Sequence, residues 1–290
     1  NIITFVGRRG TGKSSSMLSF MEELKKVKRL SKLREIGNAE TDSNEAYKDQ
    51  NGEIQFIGLE WIDASTLEKG EDIFEMLLAK ILGEILEYDT ANRALKPQEE
   101  YRVRELHRRI GSIYKKVLNL KRRNGKLYLE GESPISALRE LARSTDLRKE
   151  FEDLIQEYVS LKREGEGRYL QYGFLVVAID DVDMNIDNGF DILEQILRYL
   201  KVKGLLVLLS VDYEQMLKCC EKHFEKLYEK QEKKRQIAES YITKVLPFNM
   251  RVYLPSLKKK DYDRERTIKV NASLIRKAGA ESKDAELTIK

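Results

Sequence analysis

The chain is poor in the residues that build covalent or metal-held frameworks. Its 290 residues include two cysteines, two histidines, four prolines and one tryptophan. Cys219 and Cys220 are neighbours. Adjacent cysteines rarely pair, so a disulfide scaffold is excluded and a reducing, cytoplasmic setting is expected. His107 and His223 lie far apart and have no zinc-ligand spacing. The longest apolar runs, such as 204–210, fall far short of the roughly 20 residues that cross a membrane. No secretory signal pattern is visible, and no membrane partner is expected.

Net charge is also small. Lys and Arg total 53 against 49 Asp and Glu, a formal +4. The balance therefore says little about partners, and the local distribution says more. Charged residues make up 35% of the chain and apolar ones 41%. This suits a sizeable core dressed with long solvated helices.

Apolar periodicity alternates between strand and helix. Residues 2–6 read as a buried strand that stops at Gly7. From Ser14, Met17, Leu18, Met21, Leu24 and Val27 recur at helical spacing. A second strand is expected over 54–62, followed by a helix through Ile73, Leu77, Leu78, Ile81, Ile85 and Leu86. Residues 173–180 (GFLVVAID) form a continuous apolar run, as in a strand covered on both faces. A helix from about 190, a strand over 204–211, a helix over 213–230 and a short strand over 250–254 complete the pattern. Strands alternating with helices imply an α/β fold with a parallel sheet. The expected organisation is a core in two parts, 1–95 and 169–256. Between them lies a helical insertion, 96–168, and a charged segment, 257–290, begins a further region. A first residue only one position before a strand reads as a piece of a longer polypeptide.

The chemistry gathers in a few stretches. Gly7-Arg8-Arg9-Gly10-Thr11-Gly12-Lys13-Ser14 lies between a strand and a helix, the context of a phosphate-binding loop. Its glycines let backbone N–H groups curl inward around phosphates at a helix N-terminus. Lys13 is expected to reach the β- and γ-phosphates and Ser14 to ligate Mg²⁺; Thr11 and Ser15 complete the loop's contacts. ATP and Mg²⁺ are the expected cofactors. Asp180, ending an apolar strand, is the expected second anchor for the metal. Asp181 or Asp183 would orient or deprotonate the attacking water. Ser210 and Asp212, at the end of the next strand, are candidate sensors of the γ-phosphate, and Asp212 also suits a helix N-cap.

On these residues the chain resembles the additional-strand P-loop ATPases, the class that holds the AAA+ and STAND proteins. FVGRRGTGKS (5–14), VVAIDDVDMN (176–185) and LLVLLSVDYEQML (205–217) look most like KAP-type ATPases and their relatives in prokaryotic antiviral defence. Among those relatives is the ATPase that the RADAR system pairs with an adenosine deaminase. The resemblance implies sheet order 5-1-4-3-2, a homo-oligomeric ring and an arginine supplied by a neighbour, for which Arg198, Lys244 and Arg251 are candidates. It also implies an adenosine deaminase as a candidate partner. Arg8 and Arg9 could serve the phosphates or a neighbouring subunit. Many AAA+ proteins carry Asp-Glu where this chain has Asp180-Asp181, so the water-activating carboxylate stays open among Asp181, Asp183 and a residue elsewhere.

The insertion holds a strongly basic helix. From Arg102 to Lys126 ten Lys or Arg stand against the single Glu105, a formal +9. One reading is a hairpin whose second helix, rich in Asp and Glu and starting near Ser133-Pro134, complements it. The other is a nucleic-acid surface. Three activities follow: an ATPase driving assembly or conformational change in a defence complex, a nucleotide-gated scaffold with little hydrolysis, or a nucleic-acid motor.

Overall fold

The computed structural model describes residues 1–27, 54–67, 71–91, 97–123, 146–164, 172–184, 189–225, 231–255, 266–270 and 285–289. The expected domain boundaries at 95/96, 168/169 and 256/257, the helix start at Ser133-Pro134 and the end of the basic stretch to Lys126 lie outside them.

Six parallel strands form the central sheet: β1 (Ile2–Val6), β2 (Ile54–Gly58), β3 (Ile62–Asp63), β4 (Tyr172–Asp180), β5 (Leu205–Val211) and β6 (Arg251–Tyr253). The order is β2-β4-β5-β1-β6, with β3 pairing the end of β4. Counting β2 and β3 as one interrupted strand, this is the expected 5-1-4-3-2 arrangement. The interruption departs from the single strand expected over 54–62. Leu59 is buried and its N–H still bonds the Val176 carbonyl at 2.9 Å; one extra residue before Ile62, where Trp61 is exposed, then shifts the register, and the pairing resumes as Ile62↔Ile179 and Asp63↔Asp180. A separate antiparallel pair, β7 (Arg266–Val270) and β8 (Ala285–Ile289), follows.

Alternation along each strand sends side chains to two different layers. On one face Ile3, Phe5, Val176, Ala178, Leu208 and Val252 pack with Met17, Phe20, Met21 and Leu24 of α1 (Lys13–Lys26). On the other face Leu175, Val177, Ile179, Leu205, Val207 and Leu209 meet α2 (Ile73–Ala91), α3 (Pro97–Arg123), α4 (Leu147–Glu164), α5 (Gly189–Gln195), α6 (Tyr213–Glu225) and α7 (Gln231–Val245). α5 runs on into a wider π-helical turn, Ile196–Leu200.

The insertion shares this core. Val103, Leu106, Ile110, Ile113 and Val117 of α3 and Phe151, Leu154, Ile155 and Tyr158 of α4 belong to the same buried cluster as β4 and β5. Phe151 meets Phe74 of α2 edge-on, with ring centroids 4.8 Å apart. The Tyr158 hydroxyl donates to Glu84 at 2.8 Å, and Lys162 pairs with the same carboxylate. Burial next to Glu84 also pushes the Tyr158 hydroxyl well above the usual phenol range. On α3, Arg104, Arg108, Arg109, Lys116 and Lys121 all stand in ion pairs, with Glu100, Glu105, Glu157, Glu150, Asp72 and Glu75. The last four of these acids lie on α4 or beside and within α2, so part of the basic charge is met inside the fold.

Because the α3–α4 hairpin completes the main core, Phe151→Ala is expected to cost about 3–5 kcal/mol, the range for deleting a fully buried aromatic ring. A urea titration followed by circular dichroism checks this. A loss below about 1 kcal/mol would mean the hairpin packs only loosely on the sheet.

Candidate nucleotide-binding site

The candidate site follows from the alternation just described. Val176 and Ala178 face α1, so Asp180, two residues on, faces the same way. Leu206, Leu208 and Ser210 do likewise on β5. Strand register then brings Asp180 beside Ser210, on the side of the sheet where α1 begins. The Ser210 hydroxyl donates to Asp180 Oδ1, and its oxygen accepts the Asp181 N–H at 3.0 Å. Ser210 is wholly buried and Asp180 nearly so.

The glycine loop stands over the ends of β1 and β5. Gly7 N donates to the Val211 carbonyl at 3.3 Å. Gly10 and Gly12 take φ of 80° and 83°, a left-handed backbone that L side chains rarely adopt. No atom lies within 4 Å of where a Cβ would stand at either position. That open space is what phosphate oxygens need in order to approach loop N–H groups. The Arg8 carbonyl accepts from Thr11 N at 3.2 Å, Thr11 Oγ1 at 2.8 Å and Lys13 Nζ at 3.5 Å. Lys13 is 7% exposed, so its ammonium lies inside the loop's hollow. Ser14 is half-buried at the first turn of α1, while Ser15, Arg8, Arg9 and Gly10 are exposed.

These residues fit a nucleotide phosphate chain and a hard divalent cation. The donors are backbone N–H groups and one ammonium, and the metal-directed groups, Ser14 and Asp180, are all oxygen. Among the described residues no three His, Cys, Asp or Glu side chains form a metal cage. Magnesium in phosphate sites characteristically takes one or two protein oxygens together with phosphate and water, so such a cage is not required.

The other acidic residues divide by position. Asp181 follows the strand end with φ 51°, a left-handed backbone that aspartate adopts more readily than most side chains. Burial, and then the charge of Asp180, raises its carboxyl above the usual range, while Lys13 and Arg9 act in the opposite sense. Asp183 is 2% exposed, and its Oδ1 accepts the Asp212 N–H at 2.8 Å. Burial raises its carboxyl too, opposed chiefly by that hydrogen bond. Asp212 in turn caps α6, accepting from Glu214 N at 3.1 Å and Gln215 N at 3.3 Å.

Asp63 was not anticipated from sequence. It pairs in register with Asp180, and its charge contributes to raising the Asp181 carboxyl. It falls one residue beyond the expected end of the second strand, so only the broken β2–β3 course brings it to the site.

Of the candidate neighbour-facing cations, Arg251 and Arg198 are held within the chain. Arg251 starts β6, donates from Nε to the Leu246 carbonyl at 2.9 Å and lies 4.9 Å from the Tyr213 ring and 5.1 Å from the Phe248 ring. Its Nη2 is buried with no hydrogen-bond partner among the described residues. Arg198 pairs with Glu194 and lies over Tyr199. Lys244 is exposed near the end of α7.

A strand, glycine loop and helix, with an aspartate-tipped strand one place removed across β5, is the geometry of a phosphate-binding domain. The model of the KAP family P-loop domain matches residues 2–283. The chain belongs to the KAP family. No curated protein matches it in sequence. Membership of this P-loop NTPase family carries nucleotide binding with it. Among the described residues, no helix of this KAP domain is long and apolar enough to cross a membrane.

The bond from Asp183 to the Asp212 N–H gives a separable expectation. Asp183→Ala removes the acceptor of a buried N–H and should cost about 1–3 kcal/mol in thermal or urea unfolding. Asp183→Asn keeps an oxygen in place and should recover most of that stability. Equal losses in the two variants would show that the carboxylate charge, not the acceptor, is what matters there.

Proposed function

We propose that this KAP domain is the Mg²⁺-dependent ATP-binding and ATP-hydrolysing subunit of an oligomeric, cytoplasmic complex of prokaryotic antiviral defence. ATP drives its assembly or conformational change. The observation that carries the hydrolytic part is the Ser210–Asp180–Asp181 arrangement beside the loop. A metal-directed carboxylate sits at the tip of β4, and the next carboxylate stands half-exposed at the strand's exit.

Each residue has a task in this reading. The loop N–H groups and Lys13 bind the phosphates, and Ser14 and Asp180 would hold the metal, which would supply neutralisation of the phosphate charge. Ser210 orients Asp180 through its hydroxyl. Asp181, whose carboxyl is raised by burial and by Asp180, accepts a proton from water placed against the γ-phosphorus. Asp183 and Asp212 hold the β4 and β5 exits in register, and Asp212 keeps its candidate sensor role. Arg251 is a candidate for the cation a neighbouring subunit supplies, once released from its ring contacts.

The defence role, the ring and an adenosine deaminase partner are supported by the likeness of the three motif stretches to antiviral KAP relatives. The nucleic-acid reading of α3 is less well supported, since five of its cations already face carboxylates.

Phosphate release from ATP with Mg²⁺, followed alongside sedimentation with and without a non-hydrolysable ATP analogue, tests the proposal. Asp180→Asn and Asp181→Asn are expected to lower turnover by roughly 10²-fold or more, as loss of a positioned general base or metal anchor does. Lys13→Ala should abolish nucleotide binding, and the analogue should shift the protein to a larger species. Wild-type turnover in both aspartate variants would overturn the catalytic assignment. Nucleotide-dependent assembly without any hydrolysis would instead identify a nucleotide-gated scaffold.

A further inference from the structure

Two aspartates at the tip of the sheet are built alike. Asp63 pairs in register with Asp180, one residue after the pair Ile62 and Ile179. Both isoleucines are buried in the cluster that the sheet shares with α2 to α7. Alternation therefore turns Asp63 and Asp180 to the opposite face, where α1 and the phosphate loop stand. Partners on neighbouring strands lie about 4.8 Å apart, so the two carboxylates are side by side.

Each carboxylate is tethered in the same way. Asp180 Oδ1 accepts from the Ser210 hydroxyl and from the Asp181 N–H at 3.1 Å. Asp63 Oδ1 accepts from the Ser65 hydroxyl at 2.6 Å and the Ser65 N–H at 2.9 Å. One serine and one backbone N–H thus fix each side chain. Neither Oδ2 receives a hydrogen bond from a described residue, and neither aspartate stands in an ion pair among the described residues. The cap on the turn Ala64–Thr66 uses Asp63 Oδ1 alone, so Oδ2 has no task in the fold.

Two carboxylates held side by side repel each other, and a cation relieves that repulsion. The phosphate loop, the buried Lys13 and membership of the P-loop family put phosphate charge beside the same tip, which adds to the demand. Among the described residues no three His, Cys, Asp or Glu side chains form a direct cage. Mg²⁺ in phosphate sites keeps several of its waters, and a second carboxylate can therefore serve it through one of them.

We propose that Asp63 is a positioning residue for the hydrated Mg²⁺ of the nucleotide, its Oδ2 accepting a hydrogen bond from a water on the metal that Asp180 anchors. The inference rests on the Mg²⁺-dependent nucleotide reading above and adds the second carboxylate to it. Ser210 and Ser65 hold the two acceptors at a fixed spacing. Partners one bond removed from a metal are typically worth about 10–100-fold in its affinity.

Equilibrium binding of a fluorescent, non-hydrolysable ATP analogue to the full chain, titrated with Mg²⁺ and repeated in EDTA, tests this without recourse to turnover. Asp63→Asn keeps an oxygen for the Ser65 donors and removes the charge. It is expected to raise the Mg²⁺ concentration for half-maximal enhancement of binding roughly 10-fold or more. In EDTA the same variant should bind the analogue at least as tightly as wild type, because a negative charge near the phosphates is gone. Ser65→Ala frees the carboxylate to turn and should shift the Mg²⁺ requirement in the same direction by a smaller factor. Mn²⁺ followed by electron paramagnetic resonance should show the same loss directly as unbound metal. Glu60→Gln, a charge removed three residues away, is the control. An unshifted requirement in Asp63→Asn, with a wild type that responds to Mg²⁺, overturns the inference alone. Equal weakening with Mg²⁺ and in EDTA, or an equal shift in Glu60→Gln, overturns it as well, since a turn cap or the general field would then suffice. If Asp63→Asn does not fold, Ser65→Ala decides by the same comparisons. A wild-type chain whose binding ignores Mg²⁺ overturns the metal part of the reading itself, and Asp63's role with it.

Discussion

The hydrogen bond from Ser210 to Asp180 is the contact on which the candidate site depends. It joins the exits of two central strands on the face that α1 covers, within the field of Lys13. Without it, Asp180 would be a buried carboxylate left with the Asp181 N–H at 3.1 Å, and an under-bonded carboxylate in that position is costly. The same hydroxyl oxygen accepts the Asp181 N–H, so one serine orients two successive carboxylates. One level further out, Asp183 holds the Asp212 N–H, and Asp212 caps α6. These bonds keep β4, β5 and the helix after β5 in one register. Through Asp212 this register continues into α6, which packs on α5 and α7.

The second organising feature is the uneven covering of the sheet. Among the described residues, one face carries a single helix, whose N-terminus meets the phosphate loop. The other carries the remaining helices, including the α3–α4 hairpin. That hairpin's apolar stripe is continuous with the strands, and part of its positive charge is neutralised by Glu150, Glu157, Asp72 and Glu75.

Much of the fold was legible in the chain because its signals are local. The buried runs of β1, β4 and β5 and the helical spacing of α1 to α4 each lie within a dozen or so residues. The phosphate loop was legible for the same reason: glycines, lysine and serine act within eight positions on one turn. The strand expected over 54–62 was less so. Composition cannot show the one-residue register shift before Ile62 that breaks the regular pairing with β4. That break is also what carries Asp63 to the site, so the residue could not be found without it.

The sequence by itself determined the parallel α/β architecture, the loop and which carboxylates end the central strands, because hydrophobic period and glycine spacing are properties of short segments. Only the tertiary structure decided how those carboxylates are used. Register between β4 and β5 brought Ser210 to Asp180, burial turned Asp183 onto a backbone N–H, and ring and carbonyl contacts occupied Arg251. Each of these depends on residues far apart in the chain meeting at defined distances, and no local pattern encodes such a meeting.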